Sequence, residues 1–265
     1  MALDTSFGCA INQRAGIPLL QWAAWLRAGI LHGITTREGG VSQPPWDTLN
    51  LSADVGDDPA AVRINRIKLA AALGDMKRPV VFANQVHGAR VARIDAPPGA
   101  SFEADGLITD KRDLFIAVLV ADCVPILFLD AAKLVVGVAH AGWRGLAEDV
   151  PGAVVRAMRD EYGSIPSDIQ AAVGPHIGPC CYTVGPEVAD IFRDIPRAVK
   201  EDDPLRLDLG RIAKRRLADA GLLPENVQIS SPCTACFSDA YFSHRNQNPT
   251  GRFAAVIGIG EPWDA

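Results

Sequence analysis

Residues 114–140 read LFIAVLVADCVPILFLDAAKLVVGVAH. Three apolar runs, Leu114 to Val120, Pro125 to Leu129 and Leu134 to Ala139, are separated by Ala121-Asp122-Cys123-Val124 and by Asp130-Ala131-Ala132-Lys133. Each run has the length of a strand, and near-continuous apolarity in place of alternation predicts strands covered on both faces. The longest unbroken stretch, Leu114 to Ala121, is eight residues, where a membrane-crossing helix needs about 20.

Outward from this block, Asp57 and Asp58 precede Pro59, an N-cap signal with proline at the first helical position. Val62, Ile64, Ile67, Leu69 and Leu73 continue the apolar spacing to Gly74, which predicts a helix. Ile17 to Ala28, with Trp22, Trp25 and Leu26 at helical spacing, predicts a second, short amphipathic helix. Gly33 to Asn50 reads as a strand followed by a long loop through Gly39, Gly40, Pro44 and Pro45. Val80 to Phe82 and Arg90 to Ile94 are short β-rich runs, joined by Asn84-Gln85-Val86-His87-Gly88. Further helices are expected over Val154 to Tyr162, starting near Asp149 or Pro151, over Glu187 to Phe192 and over Leu209 to Ala220. Ala171 to Val173 and Phe253 to Gly260 read as strands. No repeat or linker interrupts the pattern, and the expectation is one α+β domain over residues 1–265.

Hydrophobic residues at 48% and charged residues at 22% describe a chain that folds. The formal net charge is −5, without a dense run of Lys and Arg, which argues against a nucleic-acid partner. The sequence opens without a cationic segment leading into an apolar block and carries Asp4 there, so a cytoplasmic location without a membrane partner is the default expectation. Six cysteines in 265 residues do not form a disulfide framework and read as thiols, ligands or nucleophiles.

Cys123 and His140 fall at ends of the central strands, and His87 lies on a separate connection. Two imidazoles and a thiolate suit zinc, and three protein ligands leave a fourth position open, as in catalytic sites. Such a metal lowers the pKa of bound water towards about 7. The spacing matches no compact zinc motif, however, and by spacing alone a buried thiol with two hydrogen-bonded histidines is the plainer reading. Cys233-Thr234-Ala235-Cys236 lacks the second C-x-x-C of a zinc ribbon, because the remaining pair, Cys180 and Cys181, is adjacent. These four read as structural thiols. Arg37, Arg144 and Arg245 stand beside glycine-rich or aromatic turns and could grip a phosphate or carboxylate. Gly142 and Gly145 could let backbone N–H groups approach an anion.

The motifs Asn84-Gln85-Val86-His87-Gly88, Ala104-Asp105-Gly106-Leu107-Ile108-Thr109 and Ala121-Asp122-Cys123-Val124-Pro125-Ile126 occur in this order. Ala139-His140-Ala141-Gly142-Trp143-Arg144-Gly145 and Gly174-Pro175-His176-Ile177-Gly178-Pro179 follow. Together they resemble the YfiH-like family, also called laccase-domain or multicopper polyphenol oxidase-like, whose members are described as purine nucleoside phosphorylases. The resemblance runs from about Gly33 to Gly260 and takes in Thr36-Arg37-Glu38-Gly39-Gly40 and Phe242-Ser243-His244-Arg245. Where many relatives have Phe-Ser-Tyr-Arg-Arg, this chain has His244 and Asn246 at the third and fifth places.

The resemblance implies a layered α-β-β-α sandwich and a zinc ion held by His87, Cys123 and His140. It implies phosphorolysis of adenosine, inosine and 5′-methylthioadenosine to free base and sugar 1-phosphate, together with deamination of adenosine. Small-molecule purine nucleosides and phosphate are then the partners. Arg37, Arg144 and Arg245 would position phosphate, and Asp122, adjacent to the thiolate, would orient a ligand or act as acid/base. One family name implies copper-dependent polyphenol oxidation, and Cu2+ could occupy the same ligands. A multicopper oxidase needs more histidines than the five here, largely as H-x-H pairs, and the sequence has no such pair. A cysteine hydrolase acting on amide bonds of cell-wall precursors, with Cys123 as nucleophile and His140 or His87 as base, uses the same residues.

Overall fold

The central apolar runs form strands, and the connection between the first two carries the chain from one sheet to another. The structure, a computed structural model, describes residues 8–230 and 232–260. Asp4 and the two ends of the expected 1–265 domain lie outside those residues. In chain order the amino-terminal half forms β1 (Cys9–Arg14), β2 (Ile17–Trp22), α1 (Ala23–Arg27), β3 (Ile30–Thr35) and α2 (Pro59–Ala72). β4 (Val80–Phe82), β5 (Val91–Arg93), β6 (Gly106–Thr109), β7 (Phe115–Val120), β8 (Val124–Asp130) and β9 (Val135–Ala141) follow. Beyond them lie α3 (Trp143–Ala147), α4 (Val150–Tyr162), β10 (Gln170–Val173) and α5 (Pro186–Ala189). The chain continues through β11 (Val199–Lys200), β12 (Arg206–Leu207), α6 (Leu209–Asp219), β13 (Val227–Ile229) and β14 (Phe253–Ile259).

Two six-stranded sheets result, ordered β1-β2-β3-β14-β7-β4 and β13-β10-β8-β9-β6-β5. Because strand side chains alternate between faces, β8 feeds two cores. Val124, Ile126 and Phe128 pack with Val154 and Met158 of α4 and with Ile212 and Leu217 of α6. Leu127 and Leu129 pack instead with Phe253, Ala255 and Ile257 of β14 in the opposite sheet. β14 in turn presents Ala254 and Val256 to Leu69 and Leu73 at the end of α2. The layers are therefore helix, sheet, sheet, helix, the sandwich that the family resemblance implied. Burial on both faces explains the unbroken apolarity of β7, β8 and β9, although β8 and β9 pair antiparallel.

Local chemistry sets the helix ends. Asp58 accepts the Ala60 N–H at 2.9 Å and Pro59 opens α2. Asp149 caps α4 by accepting the Gly152 N–H at 3.1 Å, and left-handed Gly163 closes it. The expected helix over Ile17 to Ala28 is corrected: Ile17–Trp22 is strand β2, and only Ala23–Arg27 is helical. β2 pairs with β1 and β3 and is buried throughout, so sheet burial overrides the spacing of the tryptophans. Among the described residues no helix is long and apolar enough to cross a membrane.

Leu127 is fully buried between the sheets, away from the strand ends. Leu127→Ala is expected to lower unfolding free energy by about 2–5 kcal/mol in a urea titration. A loss under about 1 kcal/mol would contradict the packed sheet-to-sheet core.

Candidate functional site

Four connections cross between the two sheets, and the site forms where two of them, β4 to β5 and β7 to β8, meet. β4 belongs to the first sheet and β5 to the second, so the intervening segment spans the gap and carries His87. β7 and β8 are divided in the same way, and Cys123 sits on their crossing. His140 lies near the end of β9, paired with Pro125, while Val124 faces Ala141. This register lays Gly142 against Cys123. A Cβ at Gly142 would stand 2.9 Å from the Cys123 Sγ and 3.3 Å from the His87 Cδ2, so the approach of the two side chains requires glycine.

The crossings are fixed by side chains that bond to backbone. Gln85 clasps Leu119 of β7, its Nε2 donating to the carbonyl at 2.8 Å and its Oε1 accepting the N–H at 2.7 Å. His87 and Asp122 adopt left-handed φ values of 62° and 89°, which cost non-glycine residues of order 1–3 kcal/mol each. Asp105 holds the first of them. Its Oδ2 accepts the N–H groups of Val86 at 3.1 Å and Gly88 at 2.8 Å, and its Oδ1 accepts that of His87 at 3.0 Å. Asp122 is secured by Thr234, whose hydroxyl donates to Oδ1 at 2.6 Å, and by the Arg245 N–H, which donates to Oδ2 at 2.6 Å.

The Asp105 Oδ1 also accepts from His140 Nδ1 at 2.8 Å. That bond selects the tautomer and leaves Nε2 of His140 for another partner. The His87 and His140 rings meet edge to face, centroids 4.8 Å apart. Donor atoms of His87, Cys123 and His140 all lie within 4.8 Å of one another. Burial opposes ionisation of Cys123, but the charge and hydrogen bonds of His140, and then of His87, outweigh it and bring the thiol down from 9.0 to about 6. Burial likewise opposes the His140 cation, and the Cys123 thiolate and Asp105 raise it from 6.5 to about 9. The donor set fits a thiophilic divalent ion: a thiolate, two imidazoles, one of them carboxylate-oriented, and a face open to a cleft.

That cleft has a volume of about 620 Å³, and Asp122, Trp143, Arg144, Tyr182, Arg245 and Arg252 are part of its lining. Arg144 stacks 4.3 Å over Trp143 and is exposed. Arg245 reaches the Thr183 carbonyl and hydroxyl at 3.1 and 3.0 Å. Arg37 is not brought to the cleft. Its guanidinium bonds the carbonyls of Asp47 and Ser238 at 2.8 Å and pairs with the Asp47 carboxylate at 3.2 Å, tying the long loop down. Gly142 lines the cleft, whereas Gly145 packs inward, where a Cβ would meet the Gly88 carbonyl at 3.1 Å. Two residues the sequence reading passed over belong here. Asp105 was legible as an acid in the mostly apolar Ala104 to Thr109 run; Arg252, close enough for the charges of Cys123 and Asp122 to act on it, was marked only by Thr250-Gly251-Arg252, a stretch that shares the family resemblance.

The layered fold and the histidine, cysteine, histidine centre at its sheet crossings define a class of α+β protein with a metal-competent cleft. The family described as multi-copper polyphenol oxidoreductase laccase matches residues 31–260, and the chain belongs to that family. It is 39% identical over 262 residues to purine nucleoside phosphorylase YlmD of Geobacillus stearothermophilus, covering 90% of this chain and 96% of the relative. It is 37% identical over 236 residues to purine nucleoside phosphorylase YfiH of Escherichia coli, covering 87% and 94%. The crystal structure of YlmD from Geobacillus stearothermophilus superposes with a TM-score of 0.86 at 37% identity, covering 95% of this chain and 99% of that one.

In metal-free protein the Cys123 thiolate should persist to low pH, because a depressed thiol pKa keeps the anion wherever pH exceeds about 6. Alkylation of Cys123 by iodoacetamide, followed by peptide mass spectrometry, should therefore titrate near pH 6, and a midpoint near 9 would refute the imidazolium pairing. Asp105→Asn should weaken metal affinity by about 10- to 100-fold in competition with a chelator and shift the alkylation midpoint upward.

Proposed function

We propose that the chain is a zinc-dependent purine nucleoside phosphorylase acting on adenosine, inosine and 5′-methylthioadenosine, and that adenosine is also deaminated in the same cleft. The observation that carries this reading is the juxtaposition of the His87, Cys123 and His140 donors with three cleft arginines, Arg144, Arg245 and Arg252. The names of the relatives support it. When bound, zinc supplies an electrophilic centre with a free fourth position. Arg144, Arg245 and Arg252 bind the phosphate dianion and hold it for attack on the anomeric carbon, since guanidinium forks match phosphate oxygens. Trp143 and Tyr182 offer aromatic faces to the purine. Both carboxylate oxygens of Asp122 are engaged by Thr234 and Arg245, so in this reading Asp122 positions the Cys123 turn and the Arg245 backbone. His140, its Nδ1 proton directed at Asp105, stays oriented as a ligand.

Polyphenol oxidation is not our reading. Five histidines are too few for a blue-copper centre with a copper cluster, and His32 has both ring nitrogens engaged by Trp22 and Ile30 backbone. A second reading has a specific observation behind it: Cys123, His140 and Asp105 line up as nucleophile, base and orienting acid. In that case the metal-free protein is the active form.

Release of hypoxanthine from inosine, measured with and without phosphate, tests the proposal. Turnover should depend on phosphate, and Cys123→Ala should lower both metal content and base release, the latter on the order of a hundredfold or more. Arg252→Gln should raise the KM for phosphate about 10- to 100-fold, the equivalent of a lost charge-assisted hydrogen bond of about 1.5–3 kcal/mol. Metal-free protein that is alkylated at Cys123 and releases no base from nucleosides would transfer the site to the hydrolase reading, with amide bonds as its substrates.

A further inference from the structure

The motif Cys233-Thr234-Ala235-Cys236 and the adjacent pair Cys180-Cys181 stand far apart in sequence and outside the cleft centre, yet the fold brings all four together. β10 and β13 are parallel neighbours, with Val173 facing Ile229, so the chain leaves both strands at the same edge of the second sheet. Their continuations stay paired: Ser230 donates to the Val173 carbonyl at 3.0 Å and Thr234 to the His176 carbonyl at 3.1 Å. The two cysteine pairs then face each other, and their sulfurs lie within 4.8 Å of one another.

We propose that Cys180, Cys181, Cys233 and Cys236 form a second metal site, a tetrathiolate centre for zinc, distinct from the one in the cleft. Four thiolates are the donor set of closed, structural zinc sites, and zinc–sulfur bonds of about 2.3 Å in a tetrahedron place sulfurs about 3.8 Å apart. Cys236 Sγ is 3.5 Å from Cys180 Sγ and 3.4 Å from Cys181 Sγ. One sulfur held almost equally between two others suits a shared ion better than a disulfide, which binds one partner at about 2.05 Å. The C-x-x-C folds as a knuckle, Phe237 donating to the Cys233 carbonyl at 3.0 Å. The Gly178 N–H donates to Cys233 Sγ at 3.2 Å, as expected around a ligating thiolate. Gly178 is also needed for space, because a Cβ there would stand 3.2 Å from both Cys180 Sγ and the Cys233 Cβ.

The position gives this ion a structural task. Thr234, between the two knuckle cysteines, holds the Asp122 carboxylate, and Tyr182, next to Cys181, lines the cleft. The metal would clamp these segments to each other beside the cleft.

The test is metal content of the full chain, purified without added metal or chelator, and it does not depend on nucleoside turnover. Wild type should carry one zinc per chain more than Cys236→Ser, whether or not the cleft is loaded, and the Cys123→Ser, Cys236→Ser double variant should be empty. A Cys236→Ser protein holding as much zinc as wild type would overturn the proposal. Should Cys236→Ser fail to fold, Co2+ titrated into metal-free, reduced Cys123→Ser protein gives the same answer. One equivalent with intense thiolate-to-cobalt charge-transfer absorption, and protection of Cys180, Cys181 and Cys236 from alkylation, is the expected result. No charge-transfer absorption, or disulfides among the four cysteines in zinc-saturated wild type, would refute it.

Discussion

A carboxylate removed from water must recover its hydration from fixed donors, and Asp105, with no solvent exposure, recovers it from the backbone of Val86, His87 and Gly88 and from the His140 ring. Burial alone would push such an acid up, yet the His140 bond and the Gly88 and Val86 N–H groups bring Asp105 below its ordinary value. The anion therefore does two jobs at once. It holds His87 in a left-handed conformation and it fixes the His140 ring, so the relative placement of both imidazoles depends on one residue. Removing the charge would loosen both the β4 to β5 crossing that carries His87 and the hold on the His140 ring near the end of β9.

That arrangement is possible because the two sheets are sandwiched between helices and joined by short crossings. β4 to β5 and β7 to β8 each change sheet within a short connection, so the chain turns sharply there. Left-handed His87 and Asp122 mark those turns. The rigid parts are apolar and paired; the reactive parts sit on the connections between them, where backbone groups escape the ladder and can be aimed at side chains. Gly142 completes the geometry by letting Cys123 and His87 approach where any larger residue would intrude.

Much of this was legible in the sequence, for physical reasons that differ by element. The runs over β7, β8 and β9 could be read because burial on both faces leaves a plain apolar signal, and Asp58-Pro59 announced α2 through capping chemistry. β2 could not be read from Trp22 and Trp25, because its burial comes from β1 and β3, which pair with it only in the fold. His87, Cys123 and His140 were brought together by resemblance, not by spacing, since their union depends on which sheet each strand joins. Arg37 stood beside a glycine-rich turn like an anion ligand, yet Asp47 and Ser238 claim its guanidinium. The four outer cysteines were illegible for the same reason as the cleft centre: parallel pairing of β10 with β13 leaves no trace in local sequence.

The three residues at the cleft admit two chemistries, and the conformation of His87 separates them. A thiol nucleophile needs one base, and His140, oriented by Asp105, already fills that role. A second imidazole at the same sulfur adds nothing to proton abstraction. Yet His87 is held there in a left-handed backbone conformation with an unfavourable energy of order 1–3 kcal/mol, offset by three N–H bonds to a buried carboxylate, and is given room by a glycine at position 142. Such a concentration of constraint on a ring that general-base chemistry does not require is intelligible if the ring binds something between itself, Cys123 and His140. A cation shared by all three would supply that function, and a thiol already lowered by His140 and His87 gives up its proton to it readily.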